Sequence, residues 1–196
     1  FTDYHAIGLA GTSRSETPDW MDAHLPATFL WLKSLEGRYC QYKVCSTFDS
    51  APHVGSIGRA VDIGADIFRQ AMVPLLVGAP QLRRYTFAGH LFAAYQGEVY
   101  RIDRHPVMSR HPVTPMQEAD LRLHLAEQTR RKVVLVGDSW PDTGVALLDV
   151  HDEATQAAAG DRLLNWAGGF VVGSSGVEYA LVKALVRKGE ISGRRS

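Results

Sequence analysis

Residues 38–77 carry the pattern that decides the fold: RYCQYKVCSTFDSAPHVGSIGRAVDIGADIFRQAMVPLLV. The stretch begins and ends with apolar, strand-like runs, RYCQYKV and VPLLV. Between them, residues 55–71 place Ile57 and Val61 on one side of a helix. A strand, a helix and a strand in this order favour two parallel strands joined by a helix that crosses one face of the sheet.

The same alternation extends in both directions along the chain. We expect further strands at 5–10, 132–136, 145–150 and 170–172, and further helices at 19–35, 117–129, 151–166 and 175–187. The segment 101–116 contains three prolines, which disfavours a single regular element there. The sequence therefore predicts an α/β fold with a parallel-type sheet and helices on both faces.

Charge and composition exclude several classes of protein. Lys and Arg number 21, as do Asp and Glu, so the net charge is zero and gives no electrostatic argument for nucleic acid or an anionic membrane. No apolar run approaches the ~20 residues of a membrane span. Cys40 and Cys45 would point to opposite faces of one strand, so we expect no disulfide and a reduced, cytoplasmic protein. A small anionic substrate stays open, because it needs only a local cluster of cations.

Three loops rich in hydroxyl groups and small residues each follow a predicted strand and precede a predicted helix. They are TSRS (12–15), KVCSTFDS with GSIG (43–50 and 55–58), and GSSG (173–176). Ligands of parallel sheets bind at the carboxyl ends of strands, where hydroxyls and free helix N-terminal amides can meet an anion. Arg14 and Lys43 add a cation at two of these strand ends. This combination suits a small, hydroxyl-rich carboxylate.

Each loop also has an ordinary structural explanation. Ser and Thr before a helix are more often caps than ligands, and a lone Arg is usually solvated. None of the loops has the Gly-x4-Gly-Lys-Ser/Thr pattern of a nucleotide-binding loop. His105 and His111 lie six positions apart across prolines without an evident third ligand, which disfavours a metal site.

In five runs the chain resembles the four-carbon acid sugar kinase family, which phosphorylates 3-oxo-tetronate, threonate or erythronate. The runs are GTSRS (11–15), KVCSTFDS with GSIG (43–50 and 55–58), GHLF (89–92), HPVTPM with ADL (111–116 and 119–121), and VGSSG (172–176). They follow the family's order and span nearly the whole chain. CSTFDS and HPVTPM are specific, whereas GSSG is weak by itself.

The resemblance implies one part of a two-domain kinase. Residues 1–190 would form the N-terminal sugar-acid-binding domain and 191–196 the start of a linker. A C-terminal domain, absent from the chain, would bind most of the ATP and Mg2+. The family's first strand and its Asp-Asp loop, the expected source of the catalytic carboxylate, would lie upstream of Phe1, so no catalytic residue is assigned. The connection at 132–150 is shorter than in the family, so either its helix is lost or residues are missing there.

The resemblance also implies roles for residues of the loops. The phosphoryl group would move to the terminal hydroxyl of the substrate. Arg14 would pair with the substrate carboxylate, while Lys43, Ser46 and Thr47 would hydrogen-bond its hydroxyls. Asp49 would orient Lys43 or cap the next loop. The further substrate-binding candidates are Gly55, Ser56 and His111, and the candidates for phosphate contact are Gly173, Ser174, Ser175 and Gly176.

Two other functions stay open beside the kinase. A non-catalytic module that binds a sugar acid would use the same loops, and an interaction domain would need no ligand. The clustered hydroxyl groups count against the interaction domain. The expected partner is a small-molecule sugar acid, with neither nucleic acid nor membrane, and a homodimer is left open.

Overall fold

The computed structural model describes residues 5–192, so only residues 191 and 192 of the predicted linker start lie within the described part. Its strands are β1 (Tyr39–Lys43), β2 (Met72–Leu76), β3 (Arg84–Phe87), β4 (His90–Tyr95), β5 (Glu98–Arg101), β6 (Val133–Leu135), β7 (Gly144–Leu148) and β8 (Gly169–Gly173). Five of them form one sheet in the order β1-β8-β2-β7-β6. All neighbours in this sheet run parallel.

Five α-helices accompany these strands, and each begins after a side-chain cap. They are α1 (Pro18–Ser34), α2 (Ile57–Phe68), α3 (Leu121–Ala126), α4 (Glu153–Asn165) and α5 (Ser175–Arg187). The caps that accept a backbone N–H of the first turn are Thr17, Ser56, Asp120, Asp152 and Ser174. Because a cap satisfies amides that have no partner within the helix, these residues fix where the helices begin.

Helices cover both faces of the parallel sheet. On one face, Val73 and Leu75 of β2 and Phe170 of β8 pack in a core with α1 and α2. On the other face, Leu76 of β2 and Val171 of β8 pack with α4 and α5. Successive side chains of a strand point to opposite faces, so each central strand contributes to both cores. The predicted α/β architecture is confirmed.

The short strands β3, β4 and β5 form an antiparallel sheet in a segment for which no element was predicted. Its two hairpin turns are Ala88-Gly89 and Gln96-Gly97, all four with positive φ. Such two-residue turns suit the twist of a hairpin, but Ala and Gln are weak signals for them in a sequence. The sheet joins the larger one where Thr86 N donates to Val150 O at 2.8 Å.

The strand predicted at residues 5–10 is wrong. These residues are irregular, and the side chain of Leu9 is 58% exposed. A strand needs a neighbour that completes its hydrogen-bond ladder, and within residues 5–192 no strand pairs with this segment. Its apolar composition alone is therefore insufficient to place it in the sheet.

The helix predicted at 117–129 is confirmed only in its centre, as α3. Its expected first turn is extended instead, because Leu91 N donates to Ala119 O at 2.9 Å and His90 forms a bridge with Asp120. The Glu118 carboxylate also accepts the N–H of Asp120 at 2.8 Å. Pairing with β4 thus outweighs helix propensity, and α3 starts only after Asp120.

Strands β6 and β7 are joined by residues 136–143, which contain no helix. Parallel neighbours are usually connected through a crossover helix, so this short connection is unusual. Trp140 is half-buried and packs against the core formed with α4 and α5. Arg162 of α4 donates to Gly137 O at 2.7 Å and fixes the loop. The short connection noted in the sequence is thus a loop in which an indole covers part of the sheet.

The crossovers place one crevice at the carboxyl ends of β1 and β8. The chain leaves β1 towards α2 on one face, whereas it leaves β8 into α5 on the other. Adjacent parallel strands whose connections diverge in this way leave an opening between their ends, which is the usual ligand position in such sheets.

Two further expectations concern cysteines and membranes. Cys40 is buried, Cys45 is exposed, and both are free thiols, as predicted. Within residues 5–192, no helix has the length and apolar character needed to cross a membrane.

Close packing of α2 on the sheet gives a test of the fold. A Cβ added to Gly64 would lie 2.2 Å from carbons of the Phe170 ring. We expect Gly64→Ala to lower the free energy of unfolding by about 1–3 kcal/mol through overpacking, although Ala favours helix by about 1 kcal/mol. Urea unfolding measures the change. Ala27→Gly on the exposed side of α1 is the control and should cost only about 1 kcal/mol; equal or higher stability for Gly64→Ala would contradict the packing.

Candidate functional site

Lys43 and Ser175 meet across the crevice between β1 and β8. Lys43 is the last residue of β1, and its Nζ donates to the Ser175 Oγ at 2.9 Å. Ser175 is the first residue of α5, so the ammonium group lies beside a helix N-terminus. Two of the loops that the sequence singled out are therefore brought together. The exposed Lys43 leaves a positive charge at the opening.

A second contact, an ion pair, joins the predicted loop at 12–15 to the predicted loop at 43–50. Arg14 Nη2 lies 2.7 Å from Asp49 Oδ2, and the Asp49 side chain is only 2% exposed while that of Arg14 is 61% exposed. A buried carboxylate thus holds one end of an otherwise solvent-facing guanidinium. Because a guanidinium has five N–H groups, those not used by Asp49 remain able to donate to a ligand. Asp49 orients Arg14, and the expectation that it orients Lys43 is replaced by this contact.

Backbone packing fixes the turn that carries Arg14. Residues Ser13–Ser15 form a single 3-10 turn, and the Ser13 hydroxyl hydrogen-bonds the Tyr42 hydroxyl at 2.9 Å. Gly55 N donates to Glu16 O at 2.8 Å. Gly55 has φ +59°, and a Cβ there would lie 2.2 Å from Arg14 O. Glycine is needed at this position because the chain's own backbone approaches it, and the substrate-binding role of Gly55 remains a prediction.

Hydrogen bonds keep Asp49 ionised in its buried position. Thr47 Oγ1 donates to Asp49 Oδ1 at 2.5 Å, and Thr114 Oγ1 donates to Oδ2 at 3.3 Å. Burial works to raise the pKa of Asp49, but the Thr47 hydrogen bond, the charge of Arg14 and a backbone hydrogen bond outweigh it and hold that pKa below its usual range. A carboxylate that is paired and fully hydrogen-bonded can stay charged away from water.

His111 reaches the same cluster from the proline-rich segment. Its Nδ1 accepts the backbone N–H of Thr114 at 3.0 Å and that of Val113 at 3.4 Å, and it lies 3.1 Å from the Thr114 hydroxyl. An Nδ1 that accepts two N–H groups carries no proton in the neutral ring, so the proton resides on Nε2. The half-buried His111 therefore offers a donor beside Asp49.

Other predicted site residues lie behind this surface. Ser56 is 1% exposed and caps α2, and Ser174 is 0% exposed and donates to Val77 O at 2.6 Å. A Cβ at Gly173 or Gly176 would lie 2.1 Å from a backbone oxygen of the neighbouring β2 segment. These glycines thus permit close packing of β8 and α5. Ser46 is half-buried in the loop after β1, and its substrate-binding role remains a prediction.

A buried polar network beneath the site escaped the sequence analysis. His124 Nε2 lies 2.9 Å from Ser50 Oγ, and Gln128 Nε2 lies 3.0 Å from the same hydroxyl. Gln128 Oε1 accepts the N–H of Gly58 at 3.2 Å. One signal was available: His124 falls on the same helical side as Leu121 and Leu125, so it faces the core. Such a histidine needs polar partners.

An open groove of about 760 Å3 between α2 and the segment after α3 is a less suitable site. Its charged groups already neutralise one another, since Arg131 pairs with Asp62 at 3.1 Å and with Asp66 at 2.9 Å. Because Arg131 already holds both carboxylates, it leaves little uncompensated positive charge for an anionic ligand. The crevice at β1 and β8 combines cations with hydroxyls and is the stronger candidate.

The residues that the structure describes form no cluster suited to magnesium. Between residues 5 and 192, no three His, Cys, Asp or Glu side chains are grouped so as to hold a metal ion. Asp49, the carboxylate at the crevice, is already engaged by Arg14. Since Mg2+ needs several oxygen ligands, the chemistry that these residues support is recognition of an anion that carries hydroxyl groups.

The geometry agrees with the class of protein to which the sequence points. The chain belongs to the sugar-binding N-terminal domain family, which matches residues 1–181. A sugar-binding N-terminal domain is thus the class of protein to which the chain belongs.

Individual proteins of known sequence or structure are also similar to this chain. The chain is 48% identical to the 3-oxo-isoapionate kinase of Paraburkholderia graminis, over 92% of this chain and 42% of that protein. It is 28% identical to the 3-oxo-tetronate kinase of Burkholderia multivorans, over 98% and 47% respectively. A solved Haemophilus influenzae structure of the DUF1537 family shares the fold with a TM-score of 0.76 at 24% identity, over 90% of this chain and 45% of that chain. The chain spans less than half the length of these relatives.

The buried network predicts how stability responds to acid. Burial lowers the pKa of His124 from 6.5 to about 4. The unfolded chain therefore takes up the proton first, so this stabilisation is complete above pH 6.5 and is lost as the pH falls to about 4. The loss is on the order of 3 kcal/mol in the free energy of unfolding. His105, whose pKa burial also lowers, adds a loss of the same sign.

Urea unfolding between pH 7 and pH 4.5 measures this loss. His124→Gln should flatten the pH dependence, because Gln does not titrate. His53→Gln, at an exposed position, should leave it unchanged. A His124→Gln protein with the full wild-type pH dependence would show that His124 is not responsible.

Proposed function

We propose that this chain is the substrate-binding domain of a kinase that phosphorylates a four-carbon sugar acid, such as 3-oxo-tetronate, threonate or erythronate, on its terminal hydroxyl. The observation that carries the proposal is the arrangement at the crevice, where Arg14 on its buried Asp49 anchor and Lys43 beside the start of α5 supply two cations among hydroxyl groups. Such a site suits a ligand with one carboxylate and several hydroxyls.

Each group has a distinct part in the proposed binding. Arg14 donates to the substrate carboxylate with the N–H groups that Asp49 leaves free, and Asp49 fixes its direction. Lys43 exchanges its bond to Ser175 for a substrate oxygen, and the Ser175 hydroxyl then becomes available too. His111 donates to a further oxygen through Nε2. Held donors of this kind favour a ligand that is rich in acceptor oxygens.

The named relatives support a kinase function and suggest which class of sugar acid is the ligand. Both names, 3-oxo-isoapionate kinase and 3-oxo-tetronate kinase, describe the phosphorylation of a 3-oxo acid. We therefore place 3-oxo acids first among the ligands to be tested. ATP with Mg2+ would supply the phosphoryl group, held mainly by a second domain beyond residues 1–190. This domain division, a cytoplasmic location and a homodimer remain predictions.

A non-catalytic sugar-acid-binding module is the second candidate. It is favoured by the engagement of Asp49 with Arg14, because a carboxylate held in an ion pair with a lowered pKa is a poor acceptor for the proton of a substrate hydroxyl. The two functions differ in one observable. The kinase converts the acid to a phosphate ester in the presence of ATP-Mg2+, whereas the module binds it unchanged.

Calorimetric titration of the full-length protein with 3-oxo-tetronate, 3-oxo-isoapionate and threonate tests the site. We expect Arg14→Ala and Lys43→Ala each to weaken binding about tenfold or more, because each removes a charge-assisted hydrogen bond worth about 1.5–3 kcal/mol. Arg187→Ala is the control, since Arg187 ends α5 at the opposite end from Ser175. Unchanged affinity in both site variants would refute this site.

A phosphate-transfer assay separates the two candidate functions. With ATP-Mg2+ and each acid, the wild-type protein should form a phosphate monoester, detected by phosphorus NMR. Binding without any ester would favour the non-catalytic module.

A further inference from the structure

The loop that carries Asp49 contains a strained turn. Phe48 has φ +56°, and its side chain is fully buried. A non-glycine residue in the left-handed region costs energy and persists only where surrounding contacts hold it. Here the Phe48 ring meets the His124 ring edge-on, with centroids 5.9 Å apart, and Ser50 Oγ lies 3.1 Å from Phe48 O. Phe48 and Ser50, the residues on either side of Asp49, are therefore held by contacts with His124 of α3.

The hydrogen bonds of this network determine where its protons lie. Gln128 Oε1 accepts the Gly58 N–H, so the NH2 group of the amide faces Ser50 and His124. Gln128 Nε2 lies 3.1 Å from His124 Nε2. Because two N–H donors cannot face each other at this distance, His124 Nε2 is an acceptor and its ring is neutral. The Ser50 hydroxyl then accepts from Gln128 and has one proton, for which His124 Nε2 and Phe48 O are the two acceptors within reach.

Gln128 also ties the network to the start of α2. A Cβ on Gly58 would lie 2.5 Å from Gln128 Cβ and 2.6 Å from its backbone carbon. The backbones therefore touch, and Gln128 cannot shift without moving the segment that runs from Asp49 to α2. One end of that segment is held at Ser50 and the other at Gly58.

We propose that His124 and Gln128 are positioning residues of the sugar-acid site: they hold the strained turn at Phe48 and so aim the Asp49 carboxylate that orients Arg14. They contact Ser50 and Phe48 rather than the ligand. The inference rests on the proposed function and extends it to residues outside the crevice. It states that the affinity for the acid depends on the hydrogen-bond acceptor at His124 Nε2 and not only on the packing of the His124 ring.

The charged groups that influence His124 come from two segments. Glu118, before α3, and Asp49, in the site loop, both act on the ring. Both are acidic, so they favour a proton on His124, whereas burial and the facing amide of Gln128 oppose it. A proton on Nε2 would face the NH2 group of Gln128 and would reverse the hydrogen bond to Ser50, whose oxygen would become the acceptor. Acid should therefore weaken ligand binding through this network before Asp49 itself is protonated.

Two variants at one position separate the acceptor from the packing. His124→Phe keeps a ring against Phe48 but removes the acceptor, whereas His124→Gln can place an amide oxygen near the position of Nε2. Gln156→Leu is a matched control, because Gln156 of α4 is 0% exposed and pairs with Gln81, outside the network. The full-length protein is titrated calorimetrically with 3-oxo-tetronate and 3-oxo-isoapionate at pH 7.5, at a temperature where thermal unfolding shows each variant folded.

We expect His124→Phe to weaken binding about tenfold, His124→Gln to stay within about threefold of wild type, and Gln156→Leu to match wild type even if it is less stable. If His124→Phe does not fold, Ser50→Ala takes its place with the same expected loss. Wild-type affinity in His124→Phe, or equal losses in both His124 variants, would overturn the positioning role. If the wild-type protein binds neither acid, the proposed function itself fails, and the inference falls with it.

A pH series provides an independent readout. Wild-type affinity should fall as the pH drops through about 4, where the buried His124 takes up its proton, and His124→Gln should reduce that dependence. An identical pH profile in the two proteins would contradict the network.

Discussion

A buried carboxylate that must remain charged is the constraint on which the arrangement of the site depends. Asp49 is almost inaccessible to water, so its charge requires a partner and several hydrogen bonds. Arg14, Thr47 and Thr114 provide them from three separate segments of the chain. Each of these segments is thereby held at one point, and the loops at the end of the sheet become a single unit around one ion.

Because Asp49 pairs with Arg14 and not with Lys43, the two cations of the site differ in how they can contact an anion. A guanidinium that is already paired attracts an anion less strongly than a free one. It also loses less orientational freedom on binding the anion, because the pairing has already fixed its direction. Lys43 differs, because within residues 5–192 its side chain hydrogen-bonds a neutral hydroxyl and forms no ion pair. For the proposed ligand, the two cations would offer one directional and one non-directional contact. Together they would be suited to distinguish the carboxylate end of a small acid from its hydroxyl end.

The sequence predicted the parallel sheet and its main helices because their signals are local. Apolar strands of the β2 type and capped helices such as α5 need no knowledge of distant neighbours. The segment 5–10 failed because a strand depends on its partner, and the hairpins of β3 to β5 were missed because Ala88-Gly89 and Gln96-Gly97 are weak turn signals. The loops of the candidate site could be predicted from their hydroxyl-rich sequences. The ion-pair partner of Asp49 could not, because whether Asp49 contacts Arg14 or Lys43 depends on tertiary geometry. The burial of His124 depends on tertiary geometry in the same way.

The contact between Lys43 and Ser175 joins residues 132 positions apart. Since β1 and β8 are neighbours, the crevice cannot exist until β8 has inserted beside β1. Contacts of such long sequence separation carry a large loop-closure cost and form slowly. A nascent polypeptide released before β8 would possess most of the sheet and none of the crevice.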